Sequence, residues 1–392
     1  MPTPDYRNPV DIGSSAEIPP TPEQLSATMG ALNSFPALGV YNANRGNTAK
    51  LKKSLGKVIS GEARARWAFA GSSSFVGTGT NPPNYRAHSV IAYLAAALSG
   101  RGIRAQWDSI WGTQGYNDLA AHTIADPRTT FGAGWTNVIG SSLGGSMFSN
   151  QADTTDLQIT FEGEYDAIDI YYNRLSGGGT FEVFIDDVSQ GTQSTNAGAA
   201  VIKLIKTGFA LGEHVLKIRR ISGGQVNIIG VEAYDTTRPA LNLLGMGWVG
   251  SASPDWASTT AARSPRNALP VVGPEATFLL IGNNDISAAR ATAIYKINMQ
   301  TIIEGAKLSG DVIIVGPQEV NPAVYDQSLQ DEYFAARLEL ATEFDCPLID
   351  WKAHLGTFAQ GSAIGAYADD QHVRRFAHAQ FGQFMAEVLV RL

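Results

Sequence analysis

The sequence predicts an α/β fold, a three-layer α/β/α sandwich with a mostly parallel sheet, interrupted by an antiparallel β-sandwich or jelly-roll insert. Three observations carry this prediction. Apolar strand-like runs alternate with helical patterns in residues 63–112 and again in 237–392, the rhythm of a parallel sheet covered on both faces. Between them, residues 113–236 hold only short segments of mostly period-two character, punctuated by Asp, Gly, Ser and Asn. At 392 residues, 44% hydrophobic and 17% charged, the chain is also larger than one core usually takes.

Taken in order, residues 1–62 begin with a Pro-rich leader expected to be extended. TPEQLSATMGALNSF and NTAKLKKSLGKVISG follow, with apolar residues at helical spacing. They are expected to form an N-terminal arm that either docks on an attachment partner or packs around the main domain. WAFA, from Trp67, reads as a buried strand, and YRAHSVIAYLAAALSG (85–100) as a helix with a glycine stop. In the insert, LQITFEG, AIDIYYNR, TFEVFIDD, AAVIKLIK, EHVLKIRR and QVNIIGVEAY are strand candidates, with Phe181, Val183 and Ile185 on one face of TFEVFIDD and Glu182 and Phe184 on the other. Trp135 and GSSLGGSMFSN are assigned to the insert's first strands. The α/β rhythm then resumes. ALNLLGMG, ATFLLIG, DVIIVG and PLIDW read as strands; ATAIYKINMQTIIEGAKLSG, YFAARLELATEF and HVRRFAHAQFGQFMAEVLVRL read as helices.

Composition excludes several functions. A net charge of −7 without any Lys/Arg block argues against nucleic acid, whose backbone selects basic surfaces. Cys346 is the single cysteine, so neither an intramolecular disulfide nor a Cys-rich zinc site is expected, and a buried thiol is. The leader lacks the charged start and apolar core of a secretory signal, and no run reaches the roughly 18 apolar residues of a membrane span. The composition does not set an oligomeric state.

Two serine motifs compete for chemistry. GSSLG satisfies G-x-S-x-G around Ser142, but that motif needs a strand, a sharp elbow and a helix, and here a β-rich stretch follows. RWAFAGSSSFVGTGT has the better context, because it puts serines just past the carboxyl end of the first parallel strand, where such sheets place ligands. A serine hydroxyl needs a base. Of six histidines, His88, His122 and His214 read as structural or exposed, and His354 lies near a strand end. His372 follows Asp369 by three residues in YADDQHVRR, so one tight turn can hold imidazole Nδ1 and leave Nε2 facing a serine. Asp370 is a turn or cap residue. Oxyanion donors can come from the Ser73 amide, a glycine amide in LLGMGWVGS and an asparagine carboxamide in LLIGNNDIS, each after a strand.

Together these blocks resemble the SGNH (GDSL-type) hydrolases, α/β/α enzymes that cleave esters. The resemblance covers 63–112 and 237–392 through Gly71-Ser72-Ser73 with Gly77, Gly247-Trp248-Val249-Gly250, Gly282-Asn283-Asn284-Asp285 and Asp369-Asp370-Gln371-His372. It implies Ser73, His372 and Asp369 as a catalytic triad and Ser73, Gly250 and Asn284 as the oxyanion hole, without metal or cofactor. Gly112 and Gly115 form a second G-x-x-G; Gly250 is preferred because a strand precedes it and SASPDWAS, a helix start, follows. Asp285 is expected to brace the Asn284 turn. Trp248 is expected to contact substrate, as an acyl-pocket wall or a sugar platform. The sequence departs from the family at Ser72, which replaces an aspartate, and at Val373 and Ala377, which replace a proline and a glycine.

The insert resembles a carbohydrate-binding module, which points to an acylated polysaccharide, a bacterial surface glycan, as substrate. The alternatives are a catalytically impaired glycan-binding or structural virion protein, and a lipase or thioesterase of the same fold. A surface-glycan substrate without a visible signal suggests a virion-associated enzyme, such as one of a phage tail, or one released by lysis.

Overall fold

The computed structural model describes residues 38–80, 85–116, 118–140 and 142–392. The expected helix over TPEQLSATMGALNSF and the leader lie outside the described residues.

A seven-stranded sheet forms the centre. Its order is Val40–Tyr41, Leu348–Asp350, Asp311–Gly316, Ala276–Leu280, Ala65–Gly71, Leu241–Gly245, Ala105–Gln106. All neighbours are parallel except Val40–Tyr41, which runs antiparallel to Leu348–Asp350. Ala65–Gly71 shows why this sheet must be covered twice. Trp67 and Phe69 face one core with Phe278, Val90, Leu94 and Phe381, while Ala68 and Ala70 face another with Leu244, Leu279, Tyr295 and Leu340. The first core is roofed by the helices Val90–Ser99 and Arg375–Arg391, the second by Thr292–Lys307 and Gln327–Glu343. Phe69 and Phe278 stack at 4.6 Å across adjacent strands; burying each such ring contributes roughly 1.5–3 kcal/mol.

The insert is a two-sheet antiparallel sandwich. One sheet runs Val188–Ser194, Gly179–Ile185, Val215–Gly223, Asp156–Thr160, Thr129–Phe131. The other runs Ala200–Gly212, Tyr165–Arg174, Val226–Tyr234, Ser146–Asn150, Trp135–Ile139, with Ser109–Trp111 also paired to Val226–Tyr234. Phe181, Val183 and Ile185 point into the shared core with Phe148, Leu157 and Ile228, as their alternation requires. The guest leaves after Ala105–Gln106 and returns at Leu241–Gly245, and those two strands are neighbours, with Leu241 opposite Ala105. Adjacent ends are what make such an insertion cheap. The outer face of the guest closes on the host: Trp111, Tyr171 and Ile229 belong to the same core as Ala68 and Leu244.

Several expectations change. The sandwich takes its first strand from Ser109–Trp111, upstream of residue 113. The described part of 1–62 packs on the main domain, the second of its two readings: Val40–Tyr41 extends the sheet, and Leu51, Leu55 and Val58 of the helix Ala49–Ile59 enter the core. The helix expected over 85–100 is two, Tyr85–His88 and Val90–Ser99, because the Ser89 side chain caps the second by accepting from Ala92 N. Gly100 keeps helical angles, and the left-handed residue that turns the chain is Gly102. His122 lies on the helix Leu119–Ala125, not in a polar connection, and is buried. The strand Val188–Ser194 had no hydrophobic pattern to announce it; it exists as the exposed edge partner of Gly179–Ile185.

Candidate active site

After Ala65–Gly71 the chain turns directly into a one-turn helix, Ser73–Val76. Ser72 N donates to Leu280 O at 3.0 Å, which ties the turn to the neighbouring strand, and Phe75 N donates back to Ser72 O at 3.1 Å. Ser73 is thereby fixed at the helix start, where an amide has no intrahelical acceptor. Its side chain reaches His372, with Oγ 2.9 Å from Nε2.

His372 is held by its own turn. Asp369 places its carboxylate 2.9 and 3.1 Å from His372 Nδ1, and Oδ1 also accepts the amides of Gln371 at 2.8 Å and His372 at 2.7 Å. A carboxylate facing Nδ1 selects the tautomer with the proton there, so Nε2 is free to accept from Ser73. Burial tends to raise the Asp369 pKa, but the two amides and the imidazole outweigh it and hold the carboxyl below its ordinary value. The turn fits closely against the serine loop. Gly79 adopts φ +96°, and a Cβ there would lie 2.6 Å from Val373 O and 2.9 Å from His372 Cβ.

The glycine and asparagine blocks converge on the same edge. Trp248 N donates to Gly71 O at 2.8 Å, and Asn284 Nδ2 donates to Ser251 O at 2.8 Å. Gly250 therefore occupies an exposed turn strung between the serine strand and the asparagine helix, Asn283–Ser287. Gly115 has a different job. A Cβ on it would lie 2.6 Å from the Trp248 ring and 2.8 Å from Val249 O, so it packs behind the loop that Gly250 tops. Buried Asp285 accepts from Ser253 N at 2.8 Å, Ser253 Oγ at 2.7 Å and Arg290 Nε at 2.7 Å, bracing the two blocks against each other.

Other residues fall elsewhere. Trp248 is only 9% exposed; its ring is lodged against Trp256, Gly115 and Gly145, so most of it packs and little of it is open to a substrate. Ser142 is buried and leads into the turn Leu143–Gly145 and a strand, with no helix to make an elbow. His354 stacks on Phe384 at 4.6 Å. Burial lowers His122 and His378 to about 4. Burial also pushes the Cys346 thiol up to about 12, an inert core group. Asp370 accepts from Asn321 Nδ2 at 2.7 Å. Ser72 Oγ is buried without a hydrogen-bond partner.

The sequence reading gave Ser74 no role and did not single out Gln318. Gln318 Nε2 lies 3.1 Å from Ser74 Oγ and 2.5 Å from Gln371 O. A signal was present: Gln318 follows the strand DVIIVG, at the same sheet edge as the other blocks.

Among the described residues no cluster of three or more His, Cys, Asp or Glu side chains is placed to hold a metal ion. Among them, no helix is long and apolar enough to cross a membrane.

Strand order, split domain and site edge together define the SGNH hydrolase fold, here with a β-rich insert. Among solved structures the chain is similar to a peptidoglycan O-acetylesterase, at 14% identity over 89% of this chain and 97% of that one, with a TM-score of 0.67. More distant likenesses include a family two carbohydrate esterase from Clostridium thermocellum, at 11% identity over 72% of this chain and all (100%) of that one, with a TM-score of 0.29. Another is a lipolytic protein of the G-D-S-L family from Veillonella parvula, at 21% identity over 39% of this chain and 82% of that one, with a TM-score of 0.33. No protein-family model and no curated protein matches the chain.

Proposed function

We propose that the protein is a serine esterase that removes O-acetyl or other short acyl groups from a polysaccharide, a bacterial surface glycan. The observation that carries this reading is the continuous chain from Ser73 Oγ through both ring nitrogens of His372 to the Asp369 carboxylate. In the proposed reaction Ser73 attacks the ester carbonyl while His372 Nε2 takes its proton, and Asp369 stabilises the imidazolium. The Ser73 and Gly250 amides and the second N–H of the Asn284 carboxamide receive the oxyanion. His372 then gives that proton to the sugar oxygen as its bond to the acyl carbon breaks, so the sugar leaves as a free hydroxyl and an acyl-serine remains. Water attacks this ester by the same path in reverse, releasing the carboxylic acid and restoring Ser73.

The glycan is favoured over a lipid by the likeness to a peptidoglycan O-acetylesterase over nearly the full length of both chains. The buried Trp248 leaves little open apolar wall for a long acyl chain at that position.

The test is Ser73→Ala, assayed for acetate release from an acetylated glycan and from p-nitrophenyl acetate. Turnover is expected to fall by at least about 10^4-fold, and retained turnover overturns the assignment. Rates that rise with acyl-chain length would move the substrate from glycan acetate to lipid.

A further inference from the structure

The loop carrying His372 is shaped internally but must also be held at a fixed distance from Ser73. Ala368 N donates to His372 O at 2.8 Å and Arg374 N to Ala366 O at 2.6 Å. These bonds set the loop's own form and leave its placement open. Part of the placement comes from the Gln371 Nε2 bond to Ser287 Oγ at 2.8 Å and from the packing of His372 and Val373 against Gly79, and part from the short segment after the strand Asp311–Gly316. Asn321 N donates to Asp370 O at 2.8 Å, and Tyr367 OH donates to Glu319 O at 2.7 Å. Both of these touch the histidine loop alone. Gln318 touches both partners of the reacting pair through their neighbours. Its Nε2 donates to Gln371 O, next to His372, and to Ser74 Oγ, next to Ser73.

We infer that Gln318 is a positioning residue that sets the Ser73–His372 distance. This rests on the reading of Ser73 and His372 given above. A carboxamide has two N–H donors in one plane, so one rigid group can fix two separate segments of chain. Gln318 is 2% exposed, which keeps it behind the reacting atoms and out of reach of substrate. Burial also means that water does not readily replace it: if the carboxamide is removed, the Gln371 carbonyl loses its donor and the two segments lose the one hydrogen-bonding side chain they share, keeping only the packing at Gly79. A misplacement of about 1 Å in such a pair can lower turnover roughly 10^2-fold.

The experiment compares Gln318→Leu, Ser74→Ala and the double variant in the full chain. For Gln318→Leu, kcat on p-nitrophenyl acetate should fall about 10- to 100-fold with KM unchanged. Ser74→Ala should cost less, since the bond to Gln371 survives, and the double variant should be no worse than Gln318→Leu. Wild-type kcat in Gln318→Leu, a loss that follows only the folded fraction in a thermal melt, or additive effects would overturn the inference. A crystal structure of Gln318→Leu decides the matter without turnover. Separation of Ser73 Oγ and His372 Nε2 beyond hydrogen-bond range is expected, and an unchanged 2.9 Å contact refutes the role. If Ser73→Ala keeps its activity, the esterase reading fails while this distance still tests Gln318.

Discussion

The two ends of the strand Ala65–Gly71 hold opposite kinds of polar chemistry. At its carboxyl end Ser73, His372 and Asp369 form a chain that opens to solvent, with the Asp369 side chain 54% exposed. At its amino end Arg64 and Arg66 meet Asp169 and Glu232, whose side chains are 0% and 1% exposed. Arg66 Nη2 lies 2.7 Å from Asp169 and its Nε 2.8 Å from Glu232, while Arg64 Nη2 lies 2.9 Å from Asp169. Burial works against the Arg66 charge, but Glu232 and Asp169 outweigh it and raise its pKa. Both carboxylates come from the sandwich, so this end fastens guest to host. One end carries a few directional bonds around the Ser73 hydroxyl; the other buries two carboxylates beneath partly exposed arginines.

That contrast predicts different failures. On the proposed role of its second N–H, Asn284→Ala, at the carboxyl end, should lower kcat by about 10^2–10^3, the usual loss for one oxyanion donor. The melting temperature should barely move, although the Ser251 carbonyl loses its partner and the Gly250 turn loosens. Steady-state kinetics beside a thermal melt separates the two, and a drop in melting temperature without a drop in kcat would assign Asn284 to the fold alone.

Arg66→Met, at the amino end, should do the reverse. It strands part of two buried carboxylates, which typically costs about 3–5 kcal/mol, and the lower end applies here. Arg64, Tyr234 OH at 3.0 Å and Asn242 Nδ2 at 2.5 Å remain to share Asp169 and Glu232. Activity per folded molecule should stay at the wild-type value well below the melt. Equal loss of kcat and stability would show that the two ends of the strand are coupled.

The difference also explains what the sequence disclosed. Asp369 and His372 interact across three residues, and Ser73 and Asn284 each lie in the turn after their own strand, so local spacing already holds their geometry. The amino-end cluster joins residues more than a hundred positions apart, and Arg64 and Arg66 look like ordinary polar flanks of a strand. A signal did exist in the partners. AIDIYYNR and QVNIIGVEAY each carry one acidic residue, Asp169 and Glu232, with apolar residues on both sides of it, and Val226–Tyr234 is buried at every position, so both its faces are covered. A charge inside such a run needs a buried partner. Long range also hid Gln318, whereas the strand Val188–Ser194 is a local hairpin partner of Gly179–Ile185 that lacks apolar alternation and turns at Asp186 and Asp187, both with positive φ. Two aspartates announce that turn less clearly than Asn-Gly or Asp-Gly.

A smaller effect should appear at the same turn of the sandwich, far from either end of the strand. His214 Nδ1 lies 2.6 Å from Asp186 Oδ2 and its Nε2 2.7 Å from Ala210 O. Both ring nitrogens face acceptors, a pattern only the doubly protonated ring satisfies. Burial opposes the charge, but Asp186 and the Ala210 carbonyl outweigh it and raise the pKa. The resulting stabilisation is fully present below the unfolded value of about 6.5 and is lost as pH rises through the higher folded value. Wild type should therefore lose a little stability above neutral pH that His214→Gln does not lose. Parallel melting profiles for the two would remove the latch.

The smallest effect belongs to the position where the sequence departs most visibly from the SGNH pattern. Ser72 stands in place of an aspartate, yet its turn is held by backbone bonds, from Ser72 N to Leu280 O and from Phe75 N to Ser72 O. Its hydroxyl is buried without a partner, so removing it gives up no hydrogen bond and relieves a desolvated oxygen. Ser72→Ala should leave stability within about 0.5 kcal/mol and kcat within about twofold. Aspartate would put a charge where even the hydroxyl is buried without a partner, so Ser72→Asp should destabilise the protein by about 1–3 kcal/mol more than alanine does. If instead Ser72→Asp raised kcat, the turn would be incomplete as it stands, and the substitution would be a real impairment of the serine end of the strand. Near-neutral alanine and costly aspartate would show that the backbone alone now does what the aspartate does elsewhere.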